Sequence, residues 1–248
     1  MNDDIEDAEP QPAGGMQPGS VHTLKAFDED VDRLRGLISQ MGGLAEDAIH
    51  EAMRALMRRD RRGARAVVEA DKRIDALEAE AERNVLRLIA LRAPLADDLR
   101  EAVAVLKIAG VVERIGDYAK NIARRVEMIE RGSSVEPLAM LPEMARVAAA
   151  MVHDALDAFV ERDPAKAQQV CRRDQVVDDY YDSIFRALLT YMMEDPQNIT
   201  PSAHLLFVAR NLERIGDHAT NIAQMVYFAA TGDRPADRAD DPGPETRR

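Results

Sequence analysis

Apolar residues recur at intervals of three and four along most of this chain, which is the spacing of one buried helix face. Six such runs are separated by proline, glycine or aspartate residues of the kind that end and begin helices. The runs predict helices over roughly 23–59, 61–91, 97–130, 142–162, 164–194 and 200–231. Aromatic residues make up only 4% of the chain. Because sheets concentrate aromatic and β-branched residues, the pattern predicts an all-α fold.

The last three predicted helices repeat the first three. The segments Glu113–Ala123 and Glu213–Ala223 share nine of their eleven residues at an offset of 100, and upstream the offset becomes 103, so that Asp60 matches Asp163. An internal duplication of this kind predicts two tandem three-helix bundles. We expect the repeats to cover residues 21–132 and 138–231, joined by a linker at 132–137. The charged, proline-rich segments 1–20 and 232–248 are predicted to be disordered tails.

Charge and cysteine content narrow the class of protein further. The formal net charge is −12, which disfavours binding to a phosphate backbone. No apolar run approaches the roughly 18–20 residues that span a bilayer, and the acidic N-terminal segment does not resemble a signal peptide. The single cysteine, Cys171, corresponds to Val68 in the first repeat and is predicted to be a small apolar packing residue. These features predict a soluble cytoplasmic protein.

Four acidic pairs, each spaced by four residues, stand at corresponding places in the two repeats. They are Asp71 and Asp75, Glu113 and Asp117, Asp174 and Asp178, and Glu213 and Asp217. Each pair places two carboxylates on one helix face, where like charges repel by about 0.2–0.5 kcal/mol. Asn121 and Asn221 extend two of these stripes by one turn. Carboxylate and amide oxygens are hard ligands that suit Mg, Mn, Ca or iron, so the stripes are candidate metal sites.

The acidic pairs also admit plainer interpretations. In an acidic chain such pairs arise by chance on solvated faces, and the neighbouring Arg114 and Arg214 are candidates to neutralise them. Gly116 and Gly216 predict close helix–helix approach, since glycine inside a helix otherwise costs about 1 kcal/mol. Two alternatives therefore stand beside a metal-binding role without catalysis: a metal-dependent hydrolase that uses the carboxylate clusters, and a metal-free helical adaptor. No Glu-x-x-His motif is present, which argues against a ferritin-like di-iron oxidase.

Three features of the chain resemble the PhoU family of bacterial phosphate-uptake regulators. They are the doubled sequence Glu-Arg-Ile-Gly-Asp-x-Ala-x-Asn-Ile-Ala, the acidic pairs of the second and fifth predicted helices, and the segment Pro94–Arg100. The likeness covers both repeats in order, over about residues 20–230. It departs at Asp195–Thr200, where the second repeat lacks the family's Pro-x-Ala-x-Asp-Leu-Arg pattern.

The resemblance implies a non-enzymatic protein, often a homodimer, that acts at the cytoplasmic face of the membrane. It implies contact with a phosphate ABC transporter and its sensor histidine kinase, and repression of phosphate-starvation signalling when phosphate is plentiful. It also implies multinuclear clusters of iron or zinc. The ligands would be Asp71, Asp75, Glu113 and Asp117 in the first repeat and Asp174, Asp178, Glu213 and Asp217 in the second.

Overall fold

Residues 18–129 and 139–233 are described by a computed structural model of the chain, and within these ranges there is no β-strand. The helices are α1 (Pro18–Arg58), α2 (Arg61–Ala70), α3 (Lys72–Arg92), α4 (Ala96–Met128), α5 (Met140–Glu161), α6 (Pro164–Glu194) and α7 (Ile199–Thr231), with a 3₁₀ turn at Pro196–Asn198. The all-α prediction is confirmed.

Each of the six predicted helices is present, with two differences in bounds. The first begins at Pro18, inside the segment predicted to be a tail. The second is divided at Asp71 into α2 and α3, although Asp71 keeps right-handed helical dihedral angles, so the chain continues in nearly the same direction. The remainder of the predicted tails, residues 1–17 and 234–248, and the whole of the predicted linker at 132–137 lie outside the described residues.

The duplication extends to the helix caps. Asp60 and Asp163 each accept two hydrogen bonds from the backbone N–H groups of the second and third residues of the helix that follows. The residues just before them, Arg59 and Arg162, both adopt the left-handed conformation with φ of 50° and 54°. Equivalent caps therefore set the turn between the first and second helices of each repeat.

The two repeats share one continuous core, to which buried apolar side chains from all seven α-helices contribute. Its centre is the pair α4 and α7, which cross in opposite directions. The Tyr118 ring stacks on its own counterpart, His218, with centroids 5.4 Å apart, and the Arg125 guanidinium lies 4.4 Å from the centre of the Phe207 ring. The repeats are thus related by an approximate twofold axis near Tyr118. In the part of the chain that the structure describes, no helix is long and apolar enough to cross a membrane.

A partly buried cluster of charges also joins the repeats. Glu101 on α4 lies between Arg35 on α1 and Arg162 at the end of α5, and its two carboxylate oxygens pair with the two guanidinium groups. The Glu101 side chain is only 12% exposed. This ion cluster fixes α5 of the second repeat against the first repeat.

Candidate functional site: two acidic helix faces

The first acidic face lies where α3 packs along α4. We define it as Asp71, Asp75, Glu78, Glu113 and Asp117, whose carboxylates influence one another electrostatically. The acidic pair of α3 and the acidic pair of α4 therefore lie close to each other in the first repeat. Glu78 was not predicted, because it lies three residues beyond Asp75 rather than at the four-residue spacing of the stripe.

Gly116 allows this close approach of the two helices. A Cβ atom at position 116 would lie 2.8 Å from Ile74 Cδ1 and 3.2 Å from Asp71 Oδ1. In the second repeat a Cβ on Gly216 would lie 3.3 Å from Val177 Cγ1, and Val177 is the counterpart of Ile74. The predicted packing role of the two glycines is therefore confirmed, with the tighter contact in the first repeat.

Lys120 provides the positive charge of the first acidic face. Its ammonium group pairs with Asp71 across the helix interface and with Asp117 one turn back on α4. The Asp71 side chain is 5% exposed and that of Lys120 is 17% exposed. A buried carboxylate therefore has a nearly buried ammonium as its partner.

One lysine does not balance five carboxylates. Burial and the negative charges of neighbouring carboxylates together raise the pKa of Glu113 to about 7. Burial has the largest effect, and it is followed in order by Asp117, Glu78, Asp75 and Asp71. The pKa of Asp75 is raised as well, first by burial and then by Asp71. The first acidic face consequently holds excess negative charge, which either a proton or a bound cation would relieve.

We expect Glu113→Gln to stabilise the fold above neutral pH. A carboxyl group whose pKa rises from 4.5 to about 7 on folding keeps its proton longer in the folded state, so its contribution to stability is lost as the pH rises through this window. After allowance for solvent screening, the gain in the free energy of unfolding at pH 8 should be on the order of 1 kcal/mol, and smaller at pH 5. Urea denaturation with a chelator present measures it.

The control for this experiment is Glu80→Gln, which removes an exposed carboxylate from α3 outside the first acidic face. It should leave the stability unchanged at both pH values. If Glu113→Gln gives no more stabilisation at pH 8 than at pH 5, the proposed excess of negative charge is wrong.

The second acidic face has four of the five corresponding carboxylates, since Tyr181 stands in place of Glu78, and their electrostatic environment differs. We define it as Asp174, Asp178, Glu213 and Asp217, on α6 and α7. Asp174 is buried, and burial raises the pKa of Glu213, with Asp217 and Asp178 adding to the shift. Arg210, one turn before Glu213 on α7, pairs with one of the Glu213 carboxylate oxygens.

The two acidic faces use counter-ions at positions that do not correspond. Lys120 is replaced by Thr220 in the second repeat, and Arg210 is replaced by Gly110 in the first. The sequence had instead indicated Arg114 and Arg214 as the neutralising residues. Both are exposed. The charge of Arg214 lowers the pKa of Glu213, though less than that of Arg210 does, so this interpretation holds in part for the second acidic face. On the first acidic face the paired cation is Lys120.

Each of the two asparagines has a polar neighbour on its own helix. Asn121 Oδ1 accepts a hydrogen bond from Arg124 at 3.4 Å, and Asn221 Nδ2 lies 3.5 Å from His218 Nδ1. Among the residues that the structure describes, no group of three or more His, Cys, Asp or Glu side chains is placed to hold one metal ion. The carboxylates share a face without converging on a single point.

The geometry defines a class of protein: a duplicated helical bundle with one acidic face in each repeat. Its family follows from comparison with known proteins. The model of the PhoU domain matches residues 38–126 and again 141–226, which are the two repeats. This chain belongs to the PhoU family.

Relatives match over nearly their whole length. A protein of Zymomonas mobilis subsp. mobilis, described as a phosphate-specific transport system accessory protein PhoU homolog, is 54% identical over 88% of this chain and 92% of its own length. A protein of Caulobacter vibrioides with the same description is 46% identical over 86% of this chain and 93% of its own length.

Solved structures show the same fold. The crystal structure of PhoU from Pseudomonas aeruginosa is 36% identical, with a TM-score of 0.80, and the match covers 84% of this chain and all of that one. The phosphate transport system regulatory protein PhoU from Streptococcus pneumoniae is 26% identical, with a TM-score of 0.79 over 84% of this chain and 99% of its own.

Proposed function

We propose that this chain is a non-enzymatic regulator of phosphate uptake. It represses phosphate-starvation signalling by acting, at the cytoplasmic face of the membrane, on a phosphate ABC transporter and its sensor histidine kinase. The observation that carries the proposal is the match of the PhoU domain to both repeats, together with relatives described as accessory proteins of phosphate transport. An accessory protein works by docking, which suits a rigid helical bundle with charged faces.

A reporter of phosphate-starvation genes tests this proposal. Deletion of the gene in its own organism should switch the reporter on in medium rich in phosphate, and the full chain expressed from a plasmid should switch it off again. A reporter that stays repressed after deletion would contradict the proposal. Sedimentation of the purified chain tests the homodimer that the family resemblance implies.

We also propose that the acidic faces bind metal cations of the iron, zinc, manganese or magnesium class, singly or as clusters. The ligands would be the carboxylates of the four acidic pairs, with Asn121 and Asn221 as additional oxygen donors. The excess negative charge around Glu113 and the hard oxygen donors support the proposal. Lys120 already pairs with Asp71 and Asp117, so a metal ion on the first acidic face would have to displace its ammonium group. A bound ion would supply positive charge that holds the helices of a repeat together.

Metal analysis of protein purified without chelator tests this site. The variant Asp117→Asn with Asp217→Asn should lose its bound metal, since it removes one carboxylate from each face. Glu80→Gln with Glu161→Gln, which changes exposed carboxylates outside the faces, should retain it. Unchanged metal content in the first variant would contradict the assignment.

The pairing of Lys120 and Arg210 with the acidic faces favours a second candidate function, a helical adaptor that works without metal. Thermal unfolding of the chain purified without chelator distinguishes the metal-dependent regulator from the metal-free adaptor. A metal that binds only the folded state must raise its stability, so a chelator should lower the melting temperature of a metal-dependent regulator and leave that of a metal-free adaptor unchanged.

A further inference from the structure

A groove of about 580 Å³ runs between the N-terminal turns of α4 and the C-terminal turns of α7. None of the acidic-face carboxylates lines it, although Asn221, one turn beyond Asp217, does. Its apolar lining includes Leu99, Val103 and Phe228, each more than a third exposed to solvent. Among the described residues that line it, Arg100 and Lys107 are the charged ones. A basic, apolar groove is unusual on a chain whose net charge is −12.

The duplication supplies an equivalent place for comparison, at the N-terminal turns of α7 and the C-terminal turns of α4. There the Arg125 guanidinium covers the Phe207 ring at 4.4 Å from its centre. At the groove, the residues equivalent to Phe207 and Arg125 are Lys107 and Met225. The groove therefore lies where the ring–guanidinium pair of Phe207 and Arg125 has no equivalent.

We propose that this groove binds an amphipathic helix of a partner protein that carries an aromatic or large aliphatic anchor flanked by acidic residues. The segment of α4 from Ala96 to Lys107 extends about 17 Å, which accommodates about three turns of a bound helix. The anchor takes the place that Phe207 fills at the equivalent end, over Val103 and Phe228. The proposal concerns a different surface from the acidic faces and does not depend on metal.

The charges in the groove favour acidic residues on the partner. Lys107 forms no ion pair within the described residues. Arg100 pairs with Asp97, but that carboxylate is highly exposed and its pair with Arg100 is of the weak surface kind, so a partner carboxylate can replace it. If two copies of this chain met groove to groove, both surfaces would carry positive charge and would repel each other. An acidic partner is therefore the better match.

Peptide binding to the full chain tests the proposal. The probe is a fluorescent 18-residue helical peptide with one phenylalanine and two leucines along one face and glutamates beside them, and the control peptide has lysines in place of the glutamates. We expect the acidic peptide to bind about tenfold more tightly, measured by fluorescence anisotropy at low salt.

The matched variant closes the groove with the pair that the protein already uses at the other end, Lys107→Phe with Met225→Arg. It should weaken binding of the acidic peptide about tenfold or more, whereas Val176→Lys, at an exposed apolar position on α6, should not. Circular dichroism and the melting temperature establish that each variant is folded. Should the double variant unfold, Val103→Glu serves in its place, since it puts a negative charge in the groove.

Three results would overturn the proposal. The first is equal binding, or no binding, of the acidic peptide by the wild-type and closed chains. The second is a dimer, seen by sedimentation, that Lys107→Phe with Met225→Arg dissociates, because the occupant is then a second copy. The third is peptide binding that occurs only after residues 234–248 are removed, because the occupant is then the chain's own C-terminal segment. Tighter binding of the acidic peptide to the full-length wild-type chain supports it.

Discussion

Glu101→Ala is expected to lower the free energy of unfolding by about 3–5 kcal/mol, the range for breaking a buried ion pair from one side. The substitution leaves Arg35, whose side chain is 18% exposed, facing Arg162 without the carboxylate that separates them. Arg35 has few other partners, since its pair with Asp32 is at an exposed carboxylate and its Nε atom is buried without a hydrogen bond. Because the cluster joins α1, α4 and the end of α5, both repeats should lose stability together.

Urea denaturation followed by circular dichroism measures this effect. The control is Glu127→Ala, which removes an exposed ion pair with Arg65 and should change the stability by no more than about 1 kcal/mol. If Glu101→Ala is no more destabilising than this control, the cluster does not join the repeats.

Lys120→Met should destabilise the fold by about 3 kcal/mol at neutral pH. The change keeps most of the apolar stem of the side chain but removes the ammonium group that pairs with Asp71 and Asp117. The buried Asp71 carboxylate then lies near the carboxylates of Asp75 and Glu113 and has lost the ammonium group of Lys120. The first acidic face, which already holds excess negative charge, becomes more negative still.

A second substitution separates the charge effect from a packing effect. Adding Asp71→Asn to Lys120→Met removes the buried negative charge as well, and replacing both partners of a buried pair is often nearly neutral. We therefore expect the double variant to recover most of the lost stability. Lys72→Met, which removes an exposed pair with Glu69, is the surface control and should cost no more than about 1 kcal/mol. Absence of recovery in the double variant would show that Lys120 acts through packing.

The fold could be predicted from the sequence because its signals are local. Apolar residues at intervals of three and four predicted the six helical runs. Asp60 and Asp163 predicted two helix starts, and in the structure their side chains cap the backbone N–H groups there. The start of α1 at Pro18 was missed because the apolar pattern does not extend that far. The division of the second helix at Asp71 was missed because the chain is helical before and after this residue, which itself has helical dihedral angles.

The acidic positions were also predictable, whereas their counter-ions were not. A spacing of four residues identifies carboxylates on one helix face, but the pairing of Lys120 with Asp71 joins two helices and depends on how closely they pack at Gly116. One signal in the sequence pointed there. Lys120 is one of only two positions at which the duplicated phrase differs, and Thr220 stands in its place.

The unequal counter-ions show that the duplicated repeats are no longer equivalent. The first acidic face has a resident ammonium group between its helices, and the second has a guanidinium group from the same helix as its partner carboxylate. The ends of the bundle differ likewise, since Arg125 covers Phe207 at one end and an open groove lies at the other. The two halves of the bundle therefore present different surfaces.

The central claim is that the acidic faces of this bundle carry its regulatory function. The most direct measurement is a phosphate-starvation reporter in a deletion strain grown with ample phosphate and complemented with Asp117→Asn/Asp217→Asn. The wild-type chain should restore repression of the reporter. The variant, present at the same cellular abundance, is predicted to leave reporter expression as high as in the deletion strain. Full repression by the variant would contradict the claim.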